Sequence, residues 1–235
     1  MKKITKKLLA STIAASALAV SAIIPAHAEV SASVGASNMY YWRGYDLGLN
    51  GDAAIWGDIN VSGENGLYAG LWTSSGDGVL GTEYDVYFGW GGEVGGLGVD
   101  VSYWSYIYPN VMNGEDEGIF LGDFAELVLG LSYGNFAFTY YDNIAVAEDF
   151  FGPGSDFGSD EYSYFTLAVD IDKFNIKYGQ HADAEGSALD GYAHLDITYN
   201  YNDNLSFTMG NVVDDVDDAN NDQIKFVVNF GIPIE

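Results

Sequence analysis

Beyond residue 28 the chain alternates apolar and polar positions in short runs of period two. In Glu83 to Trp90, Tyr84, Val86, Phe88 and Trp90 share one face, while Glu83 and Asp85 take the other. Phe165, Leu167, Val169 and Ile171 oppose Tyr164, Thr166 and Asp170 in the same way. Leu195, Ile197, Tyr199 and Tyr201 oppose His194, Asp196 and Thr198, and Ile224, Phe226, Val228 and Phe230 oppose Lys225 and Asn229. Such alternation belongs to a strand with two unlike faces. It predicts twelve strands, over 30–42, 53–62, 66–74, 82–91, 97–107, 123–133, 135–142, 161–172, 174–181, 190–201, 204–212 and 223–232. Most have the length of the roughly 9–11 residues that cross a bilayer at a tilt.

The gaps between the runs alternate short and long. Ser62 to Asn65, Gly91 to Gly96, Gly134-Asn135, Asp172-Lys173 and Asn202 to Asn204 are tight hairpin signals. Segments 43–52, 75–81, 108–122, 143–160, 182–189 and 213–222 are longer and rich in Asp, Gly, Asn and Ser. Tight turns on one side and long loops on the other are the mark of an outer-membrane barrel. The expected fold is therefore all-β, a transmembrane up-and-down antiparallel β-barrel of about 12 strands with periplasmic termini. A soluble sandwich or barrel is the alternative, but it predicts no such parity. Tyr40 and Trp42 fall on the apolar parity at the end of the first run, and Trp90 at the end of the fourth, as interface aromatics would.

The first 28 residues read as a cleaved secretory signal. Lys2, Lys3, Lys6 and Lys7 precede an apolar stretch from Leu8 to Ile24, and Ala26-His27-Ala28 supplies the cleavage pattern. An N-terminal anchor is the alternative. Residues 29–235 then form the barrel domain. Removing the signal leaves four basic residues, Arg43, Lys173, Lys177 and Lys225, against 34 acids, a formal net charge of −30. Nucleic acid is excluded as a partner by that charge, and cations are attracted. The chain has no Cys, which removes disulfides and thiolate metal sites.

Asn38-Met39-Tyr40-Tyr41-Trp42-Arg43-Gly44 resembles the aromatic-Arg-Gly segment near the mature start of the TorF family of porins. Gly66 to Trp72, Tyr84 to Gly89, Gly98 to Tyr103, Tyr106 to Pro109, Phe124-Ala125-Glu126 and Gly130 to Gly134 are similar to its later signatures. The resemblance is best over residues 38–142. It implies an exported outer-membrane barrel of the porin type and carries no catalytic residues across. One departure is the end: outer-membrane barrels commonly finish on an aromatic residue, whereas Phe230 is followed by Gly-Ile-Pro-Ile-Glu.

Strand parity assigns the inner wall. Asp58, Glu83, Asp85, Asp100, Glu126, Asp170 and Asp196 point inward, as do Arg43, Lys177 and Lys225, with His194 beside Asp196. Seven acids against three bases make an acidic, cation-preferring lumen. Trp56, Tyr68, Trp72, Trp104 and Tyr106 share the inward parity. They read either as a stacking track for ring-bearing solutes or as bulk that fills a narrow barrel. His194 and Asp196 read as a hydrogen-bonded lumen pair, or as base and partner of a lipid hydrolase, which would also need an activated Ser. Gly76 to Gly81 matches G-x-G-x-x-G but precedes a strand instead of a helix, so it reads as a loop.

Asp214, Asp215, Asp217, Asp218 and Asp222 crowd the last long segment, and Glu115, Asp116 and Glu117 an earlier one. Gln223 and Asn229 stand where a calcium loop needs Gly and Glu, so these loops are solvated, or at most hold divalent cations loosely. No cofactor, resident metal or enzymatic activity is expected. The function read from the sequence is passive diffusion of small solutes or cations through a monomer set in outer-membrane lipid. The alternative is a closed barrel with structural or surface-interaction duty through its acidic loops.

Overall fold

The computed structural model describes residues 28–48, 52–78, 80–113, 116–146, 161–183, 189–214 and 224–234. The signal segment and most of the long connections at 143–160, 182–189 and 213–222, including Asp215, Asp217, Asp218 and Asp222, lie outside them. The strands are β1 (Glu29–Ser37), β2 (Tyr41–Trp42), β3 (Tyr45–Asp46), β4 (Ala54–Ser62), β5 (Leu67–Asp77), β6 (Gly81–Val94), β7 (Leu97–Asn113) and β8 (Asp116–Ile119). They continue as β9 (Ala125–Tyr133), β10 (Phe136–Ala145), β11 (Ser163–Ile171), β12 (Phe174–Ala182), β13 (Ala193–Asn202), β14 (Leu205–Asp214) and β15 (Lys225–Ile234). No helix occurs among the described residues.

Twelve of these strands form the wall, each antiparallel to its neighbours in chain order. The ring closes where β1 pairs with β15, from Ala32 opposite Ile234 to Ser37 opposite Asn229. Closure leaves no edge with unpaired N–H and C=O groups, which a lipid-facing wall requires. The outer face is correspondingly apolar. Ile59, Phe88, Val101, Leu167, Phe174, Ile197, Met209 and Phe226 are all exposed on it. Phe88 stacks on Tyr103 and Phe174 packs on Tyr199 across strand pairs of this face. Trp90 is also outward, with its indole N–H donating to the Asn65 carbonyl 3.0 Å away.

The tight turns gather at one end, together with residues 29 and 234. Gly95 and Gly96 (φ 63° and 86°) link β6 to β7 in the left-handed conformation that matches the twist of a two-residue hairpin. Asp172 (φ 53°) does the same before Lys173, as a short polar side chain can.

Three expectations change. The segment 108–122 is not one long loop, because β7 runs on to Asn113 and pairs with β8, from Tyr108 opposite Ile119 to Asn113 opposite Asp116, while Glu115 lies outside the described residues. The first strand stops at Ser37 instead of residue 42, and the chain turns into the barrel, so Tyr40 and Trp42 face the interior and are not interface aromatics. The segment 75–81 is not a long loop, because β5 and β6 extend to Asp77 and Gly81. The Asp77 carboxylate closes the link by accepting the Leu80 N–H at 2.6 Å. The residues after Phe230 belong to the wall. They complete β15 against β1, with Pro233 opposite Ser33.

Candidate functional site

The interior is dominated by the segment that follows β1. Tyr41-Trp42 and Tyr45-Asp46 pair as a two-stranded hairpin around Arg43-Gly44. Both turn residues have positive φ, 44° and 93°, as the favoured two-residue hairpin demands. Arginine rarely adopts that conformation. Holding it there costs of order 1–3 kcal/mol, which surrounding contacts must offset.

Those contacts converge on Arg43. Its Nη1 and Nη2 donate to Glu126 Oε1 and Oε2 at 2.8 and 2.6 Å, a two-bond fork with both side chains buried. Nη1 also reaches the Tyr162 hydroxyl at 3.0 Å, and the rings of Trp42, Tyr141, Tyr162 and Tyr164 surround the guanidinium carbon at 4.4 to 5.8 Å. Tyr162 donates to His181 Nδ1 at 2.9 Å, and His181 Nε2–H returns to the Arg43 carbonyl at 2.8 Å. One closed circuit therefore grips both the side chain and the backbone of the strained residue.

The hairpin is tied to the wall on its other sides as well. Tyr40 donates to the Glu83 carboxylate. Burial, reinforced by that carboxylate, pushes the Tyr40 phenol well above its ordinary value, so it keeps the proton it donates. Tyr41 donates to Asp196 Oδ1 at 2.6 Å, and Tyr45 stacks on Tyr192 at 4.2 Å. Glu83, Glu126, His181 and His194 all lie within three residues of the strand ends opposite the tight turns. The hairpin thus fills that end of the lumen. The far half is lined by smaller or flatter groups: Ser33, Asn60, Gly130, Ala137, Ala168, Thr198 and Thr208.

The predicted inner-wall residues separate into groups. Arg43, Glu126 and Tyr106 join at the hairpin tip, Tyr106 donating to Glu126 Oε2 at 2.6 Å. Glu83 and Asp85 are buried alongside on β6. His194 Nδ1–H donates to Asp196 at 3.0 Å, and Lys177 pairs with the other Asp196 oxygen at 3.0 Å. His194 Nε2 accepts the Tyr164 hydroxyl at 2.8 Å, so a phenol stands where a hydrolase would place its seryl oxygen. Lower down, Tyr87 donates to Asp58 and Tyr68 to Asp100, each at 2.8 Å. Lys225 is half-buried opposite Gly210, and Asp170 sits exposed at the tight-turn end beside Asn175.

The five inward aromatics do not form one track. Trp104 stacks on Tyr87 at 4.3 Å, with Tyr68 tilted against the same ring. Tyr106 is committed to Glu126 and Phe124. Trp56 and Trp72 instead line a cavity of about 300 Å³ between the hairpin base and the wall of β15, β1, β4 and β5. Sequence reasoning missed the hairpin and its partners Tyr162, Tyr164, His181 and Tyr192. Its one signal was a two-residue gap ending in glycine, with Arg where Asn or Asp is usual.

Among solved structures the chain is similar to the KdgM porin, at 8% identity and TM-score 0.44 over 88% of this chain and 99% of that one. It is also similar to outer membrane phospholipase A from Escherichia coli, at 11% and 0.46 over 87% and 92%. Pseudomonas aeruginosa OccK5 (OpdH) aligns at 13% and 0.41 over 86% and 63%. No curated protein matches its sequence. Residues 24–204 match the family described as bacterial protein of unknown function (Gcw_chp), and the chain belongs to that family.

Proposed function

We propose that the protein is an outer-membrane diffusion channel for small solutes, constricted by the hairpin of β2 and β3. The observation that carries this reading is the inversion of the wall: a closed twelve-stranded ring, apolar outside and polar inside. Only a barrel surrounded by lipid and enclosing water gains from that arrangement. The chain is exported through residues 1–28, works as a monomer, keeps its tight turns and termini in the periplasm and presents its long acidic connections outside. This is in keeping with the resemblance of residues 38–142 to the TorF porins.

The channel prefers cations. Glu126 and Asp196 are paired with the cations Arg43 and Lys177, so their charges are largely offset, and Glu83 is buried against Tyr40 of the hairpin. Asp58 and Asp100 line the wider half, with Asp170 exposed at its tight-turn mouth, and they raise the local concentration of cations there. The acidic loops hold divalent cations only loosely, and no chemistry is catalysed.

The test is single-channel recording of purified protein in a planar bilayer, with the reversal potential read across a salt gradient. Cation-selective unitary currents support the reading. The filled outer half favours a second reading, a closed barrel with structural or surface-interaction duty. A protein silent at all voltages, whether or not the hairpin is present, would establish that one instead.

A further inference from the structure

We infer that the cavity beside the hairpin is a binding site for one neutral sugar ring, or two, on the way past the constriction. This rests on the channel reading for its purpose but not for its chemistry. At about 300 Å³ the cavity lies at the lower end of small-molecule sites, which span roughly 300–1,000 Å³. It holds aromatic planes and hydroxyl or amide groups, and among the described residues no charged side chain lines it. That sets it apart from the acidic lumen around it.

The planes are fixed before any ligand arrives. Gly35 on β1 faces both Gly231 on β15 and Trp56 on β4 in the register. A Cβ on Gly35 would overlap the Trp56 indole, and one on Gly231 would come within 2.8 Å of it. The ring therefore lies across the glycine pair. Its N–H donates to Asn229 Oδ1 at 3.1 Å, which holds it against the wall. Trp72, two residues from Ser74 on β5, meets the Tyr40 ring at 6.1 Å and 46° and forms a second plane at an angle to the first. Rings held this way lose little freedom when a ligand stacks on them.

The polar groups favour a ligand that donates hydrogen bonds. Ser37 Oγ already donates to the Val228 carbonyl at 3.2 Å and Ser74 Oγ to the Ser75 carbonyl at 2.7 Å. Tyr40 donates to Glu83. Each hydroxyl has used its hydrogen, so its oxygen is left to accept. A sugar brings hydroxyl donors and apolar C–H faces together. Asn229, whose Oδ1 accepts from Trp56, keeps its Nδ2–H2 to donate, so the site offers acceptors and a donor together, as a sugar hydroxyl requires. A carboxylate or phosphate would bring its charge into a site with no cationic side chain in its lining and would lose most of its hydration uncompensated.

The experiment titrates the full-length protein in detergent with glucose, maltose, glucuronate and choline, reading intrinsic tryptophan fluorescence. The same solutes are then added to the planar bilayer. Saturable fluorescence changes and current interruptions are expected with glucose or maltose and not with glucuronate or choline. Trp72→Ala should weaken the sugar about tenfold, with heat-modifiable gel mobility reporting an intact barrel. Trp56→Phe keeps a ring on the glycine pair but loses the bond to Asn229, and should weaken it less. Equal binding of glucuronate or choline overturns the inference, as does a sugar affinity unmoved by Trp72→Ala. Currents without sugar binding refute the site alone. Sugar binding without currents refutes the channel and leaves the site standing.

Discussion

Arg43 and Glu126 are 83 residues apart in sequence and share a two-bond fork inside the barrel. The arginine comes from a hairpin that belongs to no wall strand, and the glutamate from the second residue of β9. This pair decides where the hairpin sits. Removing one member of a buried pair typically costs about 3–5 kcal/mol, because the other charge is left uncompensated. Glu126→Gln should therefore release the hairpin and raise single-channel conductance. The outer-face contacts that hold the barrel are untouched, so heat-modifiable mobility should persist. Unchanged conductance would mean that the hairpin is held without this pair.

Gly44 permits the hairpin turn twice over. Its φ is 93°, and a Cβ there would stand 2.9 Å from the His194 ring. Gly44→Ala should destabilise the hairpin by more than about 1 kcal/mol. The change should appear as noisier current at unchanged barrel stability, read by parallel recording and urea titration of the gel shift.

Selectivity should follow the acids of the wider half. Asp58→Asn with Asp100→Asn should move the reversal potential towards zero across a salt gradient, most strongly at low salt, since screening shortens to about 8 Å near physiological ionic strength. The tyrosines that donate to these two groups, Tyr87 and Tyr68, can donate to an amide oxygen as well, so the fold should survive. An anion-selective channel would reverse the assignment. Neutralising Glu83 and Glu126 is a less clean test than inward parity alone suggests, because both hold the hairpin.

Orientation is tested from outside the cell. An epitope inserted near Ser155, in the long segment between β10 and β11, should be stained on intact cells, and one at Gly134 in the tight turn between β9 and β10 should not. The opposite staining would invert the topology.

The wall was legible because period two and turn chemistry are local signals. Residues 83 to 90 declare their two faces with no knowledge of the rest of the chain, and each of the twelve expected runs became a wall strand. Inward parity was equally legible for Asp58, Asp100 and Asp196. What those groups do inside was not, since Tyr87 reaches Asp58 from 29 residues away and Tyr41 reaches Asp196 from 155. The hairpin was hidden for another reason. Tyr40 and Trp42 continue the alternation of β1, so a period count runs straight through the bend at Ser37. Only the demand of buried partners for Arg43, which no local pattern records, turns that segment inward.

The glycine pair at Gly35 and Gly231 joins the first wall strand to the last, and the indole of Trp56 lies across that join. The chain's two ends therefore meet beneath a single side chain, at the one pairing that does not join successive wall strands. The cavity beside it exists only where that join is made, since its lining comes from β1 and β15 as well as β4 and β5. Any solute that prefers the finished cavity acts as a latch on the join, adding RT ln(1 + [L]/Kd) to the closed ring against an open one. A barrel reopened by a new chain break elsewhere, with residues 29 and 234 linked, would turn that join into one between successive strands and keep its latch.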